Sequence, residues 1–135
     1  MELQITPLDD LIQEAQQIQD FLEEPNPTEI EAIIDRGNTI NSLIARTGKM
    51  TSDAKFWLNK KIQVATIEVK DGIGKGLPAS TLNNLITAMC DKEDAIYKWC
   101  DRLNRTATHQ LGWLRSIVSK EKEQMKYAGG FNNQY

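Results

Sequence analysis

Apolar residues recur at intervals of three and four through the C-terminal half of the chain, from Ser80 to Tyr127. This spacing predicts an amphipathic helix. Its apolar stripe consists of Leu82, Leu85, Met89, Ile96, Trp99, Leu103, Ala107, Leu111, Leu114, Val118 and Met125. An unbroken helix of this length would measure about 70 Å, whereas a compact domain of 135 residues is only about 37 Å across. The helix must therefore break, or else project from its domain and cover its stripe with another copy.

The weak point of the pattern is the polar run from Asp91 to Asp94, where both aspartates can cap a new helix. We expect the helix to break or bend there. We also expect the protein to form a homo-oligomer, because so long an apolar stripe needs a partner surface.

Two amphipathic helices are predicted near the N-terminus. The first has Thr6 as its N-cap and Pro7 at its first position, and it stops before Pro25 because proline cannot donate a helical hydrogen bond. The second opens on the capping box formed by Thr28 and Glu31. Gly48 is a plausible end for it.

A third helix is predicted from Ser52 to Asp71, followed by a glycine-rich connection over residues 72–78. Lys75 in that loop does not fit the phosphate-binding Walker pattern, because Gly76 and Leu77 follow it. Gly129 and Gly130 predict a flexible tail over residues 129–135. The sequence thus predicts a single all-α domain over residues 1–128, with four or five helices arranged as hairpins or a bundle and a long C-terminal helix.

The charge is distributed unevenly along the chain. Residues 1–36 hold ten acids and one base, and the remaining residues hold fifteen bases and nine acids. The two parts can neutralise each other within the fold or between copies, or the basic part can meet an anionic partner. No run approaches the roughly 18 apolar residues of a membrane span, so we expect a cytoplasmic protein without membrane contacts.

Residues suited to catalysis are sparse, and we expect a non-enzymatic protein without cofactors. Cys100 and His109 lie nine positions apart, which places them on opposite faces of the last helix. They cannot form a nucleophile and base pair there. No spacing of His, Cys, Asp or Glu suggests a metal site. Cys90 and Cys100 are expected to be reduced and packed as small apolar residues.

The last helix also carries a polar face that is more informative. At about 100° per residue, five basic residues fall in one narrow sector opposite the apolar stripe, and we name them the basic ridge: Lys98, Arg102, Arg105, His109 and Lys120. Trp113 lies on the same side. Cations can contact phosphates while an indole offers a plane on which a base stacks, so this combination is typical of proteins that bind single-stranded nucleic acid. A second cluster of basic and aromatic residues, from Lys55 to Lys61, includes Lys60 and Lys61.

Other interpretations fit the same residues. The basic ridge can be a solvated face bordered by Asp94, Asp101 and Glu123, or the acidic first helices can cover it. Trp113 can instead anchor a protein partner, since exposed tryptophans often mark interfaces. The protein would then be a helical structural or inhibitory module that self-assembles and binds no nucleic acid.

Two segments resemble a known group of proteins. LIARTGKMTSDAKFWLNKK (residues 43–61) and WCDRLNRTATHQLGWLRSIVSKEKEQMKYAG (residues 99–129) resemble small helical proteins, without an assigned function, of tailed phages that infect gut bacteria. More distantly, the small size, acidic start and basic last helix resemble the layout of the UvsY-type recombination mediators of tailed phages.

The second resemblance implies a small helical protein that assembles into rings, binds single-stranded DNA and loads a recombinase. It implies that the residues that meet the DNA backbone are Lys60, Lys61, Lys98, Arg102 and Arg105. The ridge pattern adds His109, Trp113 and Lys120 to this set.

Overall fold

The computed structural model describes residues 1–132, and the side chains of residues 1–129. This part of the chain forms four helices and no strand: α1 (Leu8–Glu23), α2 (Ile30–Asp71), α3 (Ala79–Met89) and α4 (Asp91–Asn132). The prediction of an all-α fold with a long C-terminal helix is confirmed.

The two longest helices, α2 and α4, form the body of the molecule as an antiparallel hairpin. Each has 42 residues and is therefore about 63 Å long. Their contacts run in opposite directions along the two chains: Gly37 lies next to Leu111, and Asn104 donates to the Thr47 hydroxyl at 3.1 Å. The molecule is elongated because neither helix folds back on itself.

The predicted division between the second and third helices is wrong. α2 continues through Gly48 and Ser52 without interruption. A glycine inside a helix costs about 1 kcal/mol relative to alanine, but α2 packs on α4 along most of its length, and tertiary packing of this kind decides whether a helix persists. Gly48 thus lies in mid-helix, facing Asn104.

The predicted break near Asp91 is confirmed. α3 ends at Met89, and Cys90 has a non-helical ψ of 9° before α4 begins at Asp91. The break lets α3 fold against the end of α2, where Leu58, Ala65 and Cys90 form a small core.

The predicted caps of the first two helices are also wrong. α1 begins at Leu8 after Pro7, and no side chain caps it. The Thr6 hydroxyl donates instead to Asp53 on α2, at 2.7 Å. α2 begins at Ile30 after Glu29, again without a side-chain cap, so the expected box from Thr28 does not form.

α1 lies against one side of the hairpin and buries its own apolar face. That face consists of Leu11, Ala15, Ile18 and Leu22, all buried. The C-terminal end of α1 has no basic residue of its own, and Arg36 from α2 serves it instead. The Arg36 guanidinium is buried, donates to the carbonyls of Phe21 and Glu24, and stacks 4.6 Å from the Phe21 ring.

The connection between α2 and α3 is closely packed at Gly74. A Cβ at this position would lie 2.5 Å from the side chains of Val69 and Leu82 and 2.7 Å from the Val69 carbonyl. Only glycine fits there. Gly76, with φ of 89°, occupies the left-handed region that glycine favours.

The C-terminal part of α4 extends beyond the rest of the molecule. Val118 is the last half-buried residue of α4, and every residue from Ser119 to Gly129 is exposed. The helix passes through Gly129 and reaches Asn132, whereas the sequence placed the start of the tail at Gly129. Residues 133–135 of the predicted tail lie outside the described residues. No helix in the described part is long and apolar enough to cross a membrane.

Candidate nucleic-acid interface

The basic ridge occupies the outer face of α4, as the sequence predicts. Its five members are all exposed: Lys98, Arg102, Arg105, His109 and Lys120. The opposite face of the same helix is buried against α1 and α2 through Cys100, Leu103, Ala107 and Leu114. A ligand could therefore reach the ridge without any change in the bundle.

Two members of the ridge are paired along α4 itself. Lys98 contacts Asp94 at 2.7 Å and Arg105 contacts Asp101 at 3.0 Å, each one helical turn apart. The hydrogen bond from Lys98 to Asp94 raises the pKa of Lys98. Exposed pairs of this kind contribute little to stability, and a phosphate can replace their carboxylates. Arg102 has no acid within ion-pair distance among the described residues.

Two of the ten acids in residues 1–36 pair with arginines of α2, and none of the ten pairs with the ridge. Arg46 binds Glu14 in a bidentate arrangement, with N to O distances of 2.5 and 2.6 Å, and Arg36 lies 3.8 Å from Glu24. The hydrogen bond with Glu14 raises the pKa of Arg46. Within the described residues, Glu14 and Glu24 therefore neutralise arginines of α2 and leave the α4 cations available.

Trp113 differs from the other two tryptophans. The indole nitrogens of Trp57 and Trp99 donate to the Thr6 carbonyl at 2.7 Å and to Gln19 at 3.1 Å, and both rings are half-buried. Trp113 is 62% exposed, and among the described residues its indole nitrogen has no hydrogen-bond partner. Its ring is available to stack against a ligand.

The middle of α4 is strongly basic. From Ala95 to Lys120 the helix carries five Lys or Arg residues and a single acid, Asp101. The distance along the axis from Lys98 to Lys120 is about 33 Å. The ridge thus presents a line of positive charge with the Trp113 indole within it.

The structure places Lys60 away from the ridge. Lys60 follows buried Leu58 by two positions, which places it on nearly the opposite face of α2, directed away from the core that Leu58 joins. Its ammonium group lies 5.4 Å from the Phe56 ring. Lys61 is half-buried on α2. Within one protomer, Lys60 and the ridge therefore belong to different surfaces.

The cysteines lie in the core. Both are free and buried. Burial raises the pKa of the Cys100 thiol to about 11, and it also raises the pKa of Cys90. His109 is exposed on the other side of α4 from Cys100. Residues 1–132 contain no group of three or more His, Cys, Asp or Glu residues arranged to hold a metal ion.

The sequence did not indicate a groove that the structure shows between α2 and α4. A groove of about 440 Å³ opens between α2 and α4, lined by Ile33, Ile34, Gly37, Asn38, Asn41, Leu111, Leu114, Arg115, Val118 and Ser119. Arg115 could have been found from the spacing, because it follows Leu111 by one turn at the edge of the apolar stripe. The α2 wall could not have been found, because the pairing of α2 with α4 depends on tertiary contacts.

Comparisons of the chain with protein-family models, with curated proteins and with solved structures found no match. The resemblance to phage proteins therefore stays a prediction.

Proposed function

We propose that this protein binds single-stranded DNA along the basic ridge of α4. The observation that carries the proposal is the position of Trp113, an exposed indole in line with Arg102, Arg105 and His109. None of these three basic residues pairs with an acid of residues 1–36. Phosphates would lie along the cations, and one base would stack on the indole. Stacking of this kind contributes roughly 1–3 kcal/mol per base.

A single strand fits this surface better than a duplex. A base can stack on Trp113 only if it is not already stacked within a double helix. The ridge is also a nearly straight line, which can follow one backbone. We therefore expect single strands to compete strongly with duplex of the same sequence.

The proposed site does not include Lys60, which faces away from the ridge, or Lys61, which is half-buried. They would approach DNA only if several copies surrounded one strand, as the ring-forming phage mediators would. The proposal of a homo-oligomer depends on the length of the apolar stripe and on that resemblance, and the proposal of a recombinase partner depends on the resemblance alone.

A non-enzymatic accessory role in phage recombination or replication, in the cytoplasm of a bacterial host, is the biological context that we propose. The buried thiols support it, because a cysteine whose pKa is raised by burial is a poor nucleophile. Among residues 1–129, whose side chains are described, the exposed His109 has no buried partner that could orient it for proton transfer.

Tryptophan fluorescence tests the proposal directly. Adding an oligonucleotide of about 15 thymidines, within the range of single-strand site sizes, should quench the emission of the wild-type protein, because a base stacks on Trp113. In Trp113→Phe the remaining emission from Trp57 and Trp99 should not change, since both indoles are hydrogen-bonded within the fold. Equal quenching in wild type and Trp113→Phe would exclude the proposed stacking, and the absence of any quenching or binding would exclude the function.

The groove between α2 and α4 favours a second candidate, a helical module that binds proteins. Ile34 is 46% exposed there, next to the buried Leu111 and Leu114. Isolated apolar residues on a surface need no explanation, but a groove of several such residues often marks a binding surface. The two candidates use different sides of α4, so a variant of one surface need not disturb the other.

A further inference from the structure

The α2 and α4 hairpin has two sides, and α1 covers only one of them. Arg36 and Gln110 contact α1, through the Phe21 and Leu22 carbonyls respectively. The next residue in each helix, Gly37 and Leu111, lines the groove on the other side. The groove therefore lies where a second helix could pack on the hairpin as α1 does.

The floor of the groove is apolar and open. Ile33, Leu111 and Leu114 form its base, and Ile34 and Val118 form its partly exposed walls. Gly37 leaves a gap between them. A Cβ at Gly37 would lie 3.8 Å from Leu111, an ordinary contact, so packing within this chain does not require a glycine at this position. Its absent side chain leaves room for a side chain from a partner.

The α4 edge of the groove is basic. Arg115 is the charged residue of the lining, and Glu123 lies next to it on the side of α4 toward the ridge. Lys122 and Lys126 follow Arg115 at seven and eleven positions, which places them on the same side of α4. All three basic residues are exposed, and Lys122 and Lys126 lie in the part of α4 that extends past α2.

α1 illustrates what kind of helix the hairpin accepts. It places an apolar face between α2 and α4, and its acid Glu14 pairs with Arg46 of α2. A helix in the groove would meet the same arrangement, with aliphatic side chains below it and Arg115, Lys122 and Lys126 along one edge.

We propose that this groove binds an amphipathic helix of another protein, which carries acids on the flank that faces α4. Two copies of this chain do not pair well through α4 on this side. If two copies of α4 paired along this side, each would bring Arg115, Lys122 and Lys126 against the same three cations, and like charges in contact disfavour association. The α1 of a second copy is not free either, because its apolar face is buried in its own bundle.

The test uses the intact protein and a synthetic peptide with the chemistry of the proposed partner. The probe is a fluorescein-labelled peptide with the α1 sequence and its flanks, TPLDDLIQEAQQIQDFLEE (residues 6–24). Fluorescence anisotropy should show saturable binding to the wild-type protein. Gly37→Phe, which fills the groove, and the double variant Arg115→Glu, Lys122→Glu should each weaken binding at least tenfold.

Three controls make the result decisive. Gly37→Ala should bind the peptide within threefold of wild type, because a methyl group fits the groove without filling it. Arg102→Glu, Arg105→Glu should also bind normally, since the ridge lies on another side of α4. Arg46→Glu tests whether the peptide simply replaces α1, and it should leave the affinity unchanged.

Two outcomes would overturn the proposal. One is the absence of binding at a peptide concentration of about 1 mM, where even an affinity of −4 kcal/mol would be visible. The other is binding that does not depend on the groove, shown either by unchanged affinity in Gly37→Phe and in Arg115→Glu, Lys122→Glu, or by loss of affinity in Arg46→Glu. Circular dichroism and urea unfolding of each variant show whether the bundle is intact.

Discussion

The carboxylate of Asp53 on α2 accepts hydrogen bonds from both the backbone N–H and the hydroxyl of Thr6, at 3.0 and 2.7 Å. Asp53 is 1% exposed, and the ammonium group of Lys49 also donates to it. Burial on its own would raise the pKa of Asp53, but the hydrogen bonds from Lys49 and Thr6 outweigh it and hold the pKa below its ordinary value. This carboxylate fixes the segment that leads into α1.

We predict that Asp53→Asn lowers the free energy of unfolding by about 1–3 kcal/mol at pH 7, because a buried charged acceptor and its hydrogen bonds are lost. The depressed pKa gives this difference a pH dependence. The difference in unfolding free energy should be fully present above the pKa of Asp53 in the unfolded chain, about 3.9. It should shrink as the pH falls from there through the lower pKa of Asp53 in the folded protein. Urea unfolding of both proteins between pH 7 and pH 3 measures it, and a difference that persists unchanged at pH 3 would contradict this interpretation.

Arg36→Met should loosen the C-terminal end of α1. The substitution keeps an apolar stem but removes the donors to the Phe21 and Glu24 carbonyls, and buried acceptors left without a partner cost about 1–3 kcal/mol each. Hydrogen exchange of the amides of residues 18–24 should accelerate at least tenfold. The exposed Arg102 of α4, changed to Met in the same way, is the matched control and should show no acceleration in this segment.

Two glycine substitutions should have opposite effects on stability. Gly37→Ala should stabilise the protein by as much as about 1 kcal/mol, since alanine is the better helix former and its Cβ meets only an ordinary contact. Gly74→Ala should destabilise it by about 1–3 kcal/mol, because its Cβ would overlap Val69 and Leu82. Thermal unfolding of the pair checks both signs, and a stabilised Gly74→Ala would show that the connection is looser than described.

The native thiols should react slowly. Burial raises the pKa of Cys100 to about 11, so almost no thiolate is present at pH 8, and Cys90 is buried as well. We expect neither to react with a thiol-specific reagent within minutes, and both to react once urea unfolds the chain. Ser116→Cys, on the exposed side of α4, should react at once and is the positive control.

The arrangement of α4 could be predicted from the sequence because it depends on one helix alone. The positions of the buried Leu103 and Leu114 and of the exposed Arg102 and Trp113 follow from helical periodicity. The break before Asp91 follows from a local loss of that pattern. These are properties of neighbouring residues, which the sequence shows directly.

The parts that could not be predicted depend on contacts between distant segments. Thr6 has the composition of an N-cap, but its hydroxyl binds Asp53, 47 positions away. Gly48 has the composition of a helix end, but packing on α4 keeps α2 helical through it. The separation of Lys60 from the ridge, and the groove on α2, likewise depend on how the two long helices pair.

The central claim is that the basic ridge binds single-stranded DNA, and charge reversal at its centre tests it most directly. The measurement is the affinity of the double variant Arg102→Glu, Arg105→Glu for a labelled oligonucleotide, beside wild type and beside Lys70→Glu, Lys75→Glu. The two variants carry the same change in charge, but the second alters exposed lysines at the end of α2 and in the connection that follows it, away from the ridge. Circular dichroism should show equal helix content in all three proteins.

We predict that the affinity of the wild-type protein falls steeply as the salt concentration rises, because binding releases the counterions condensed on the DNA. The ridge variant should bind at least tenfold more weakly and with a smaller salt dependence, and the control variant should match wild type within about threefold, which is less than 1 kcal/mol. A wild-type protein that does not bind, or two variants that lose affinity equally, would contradict the claim.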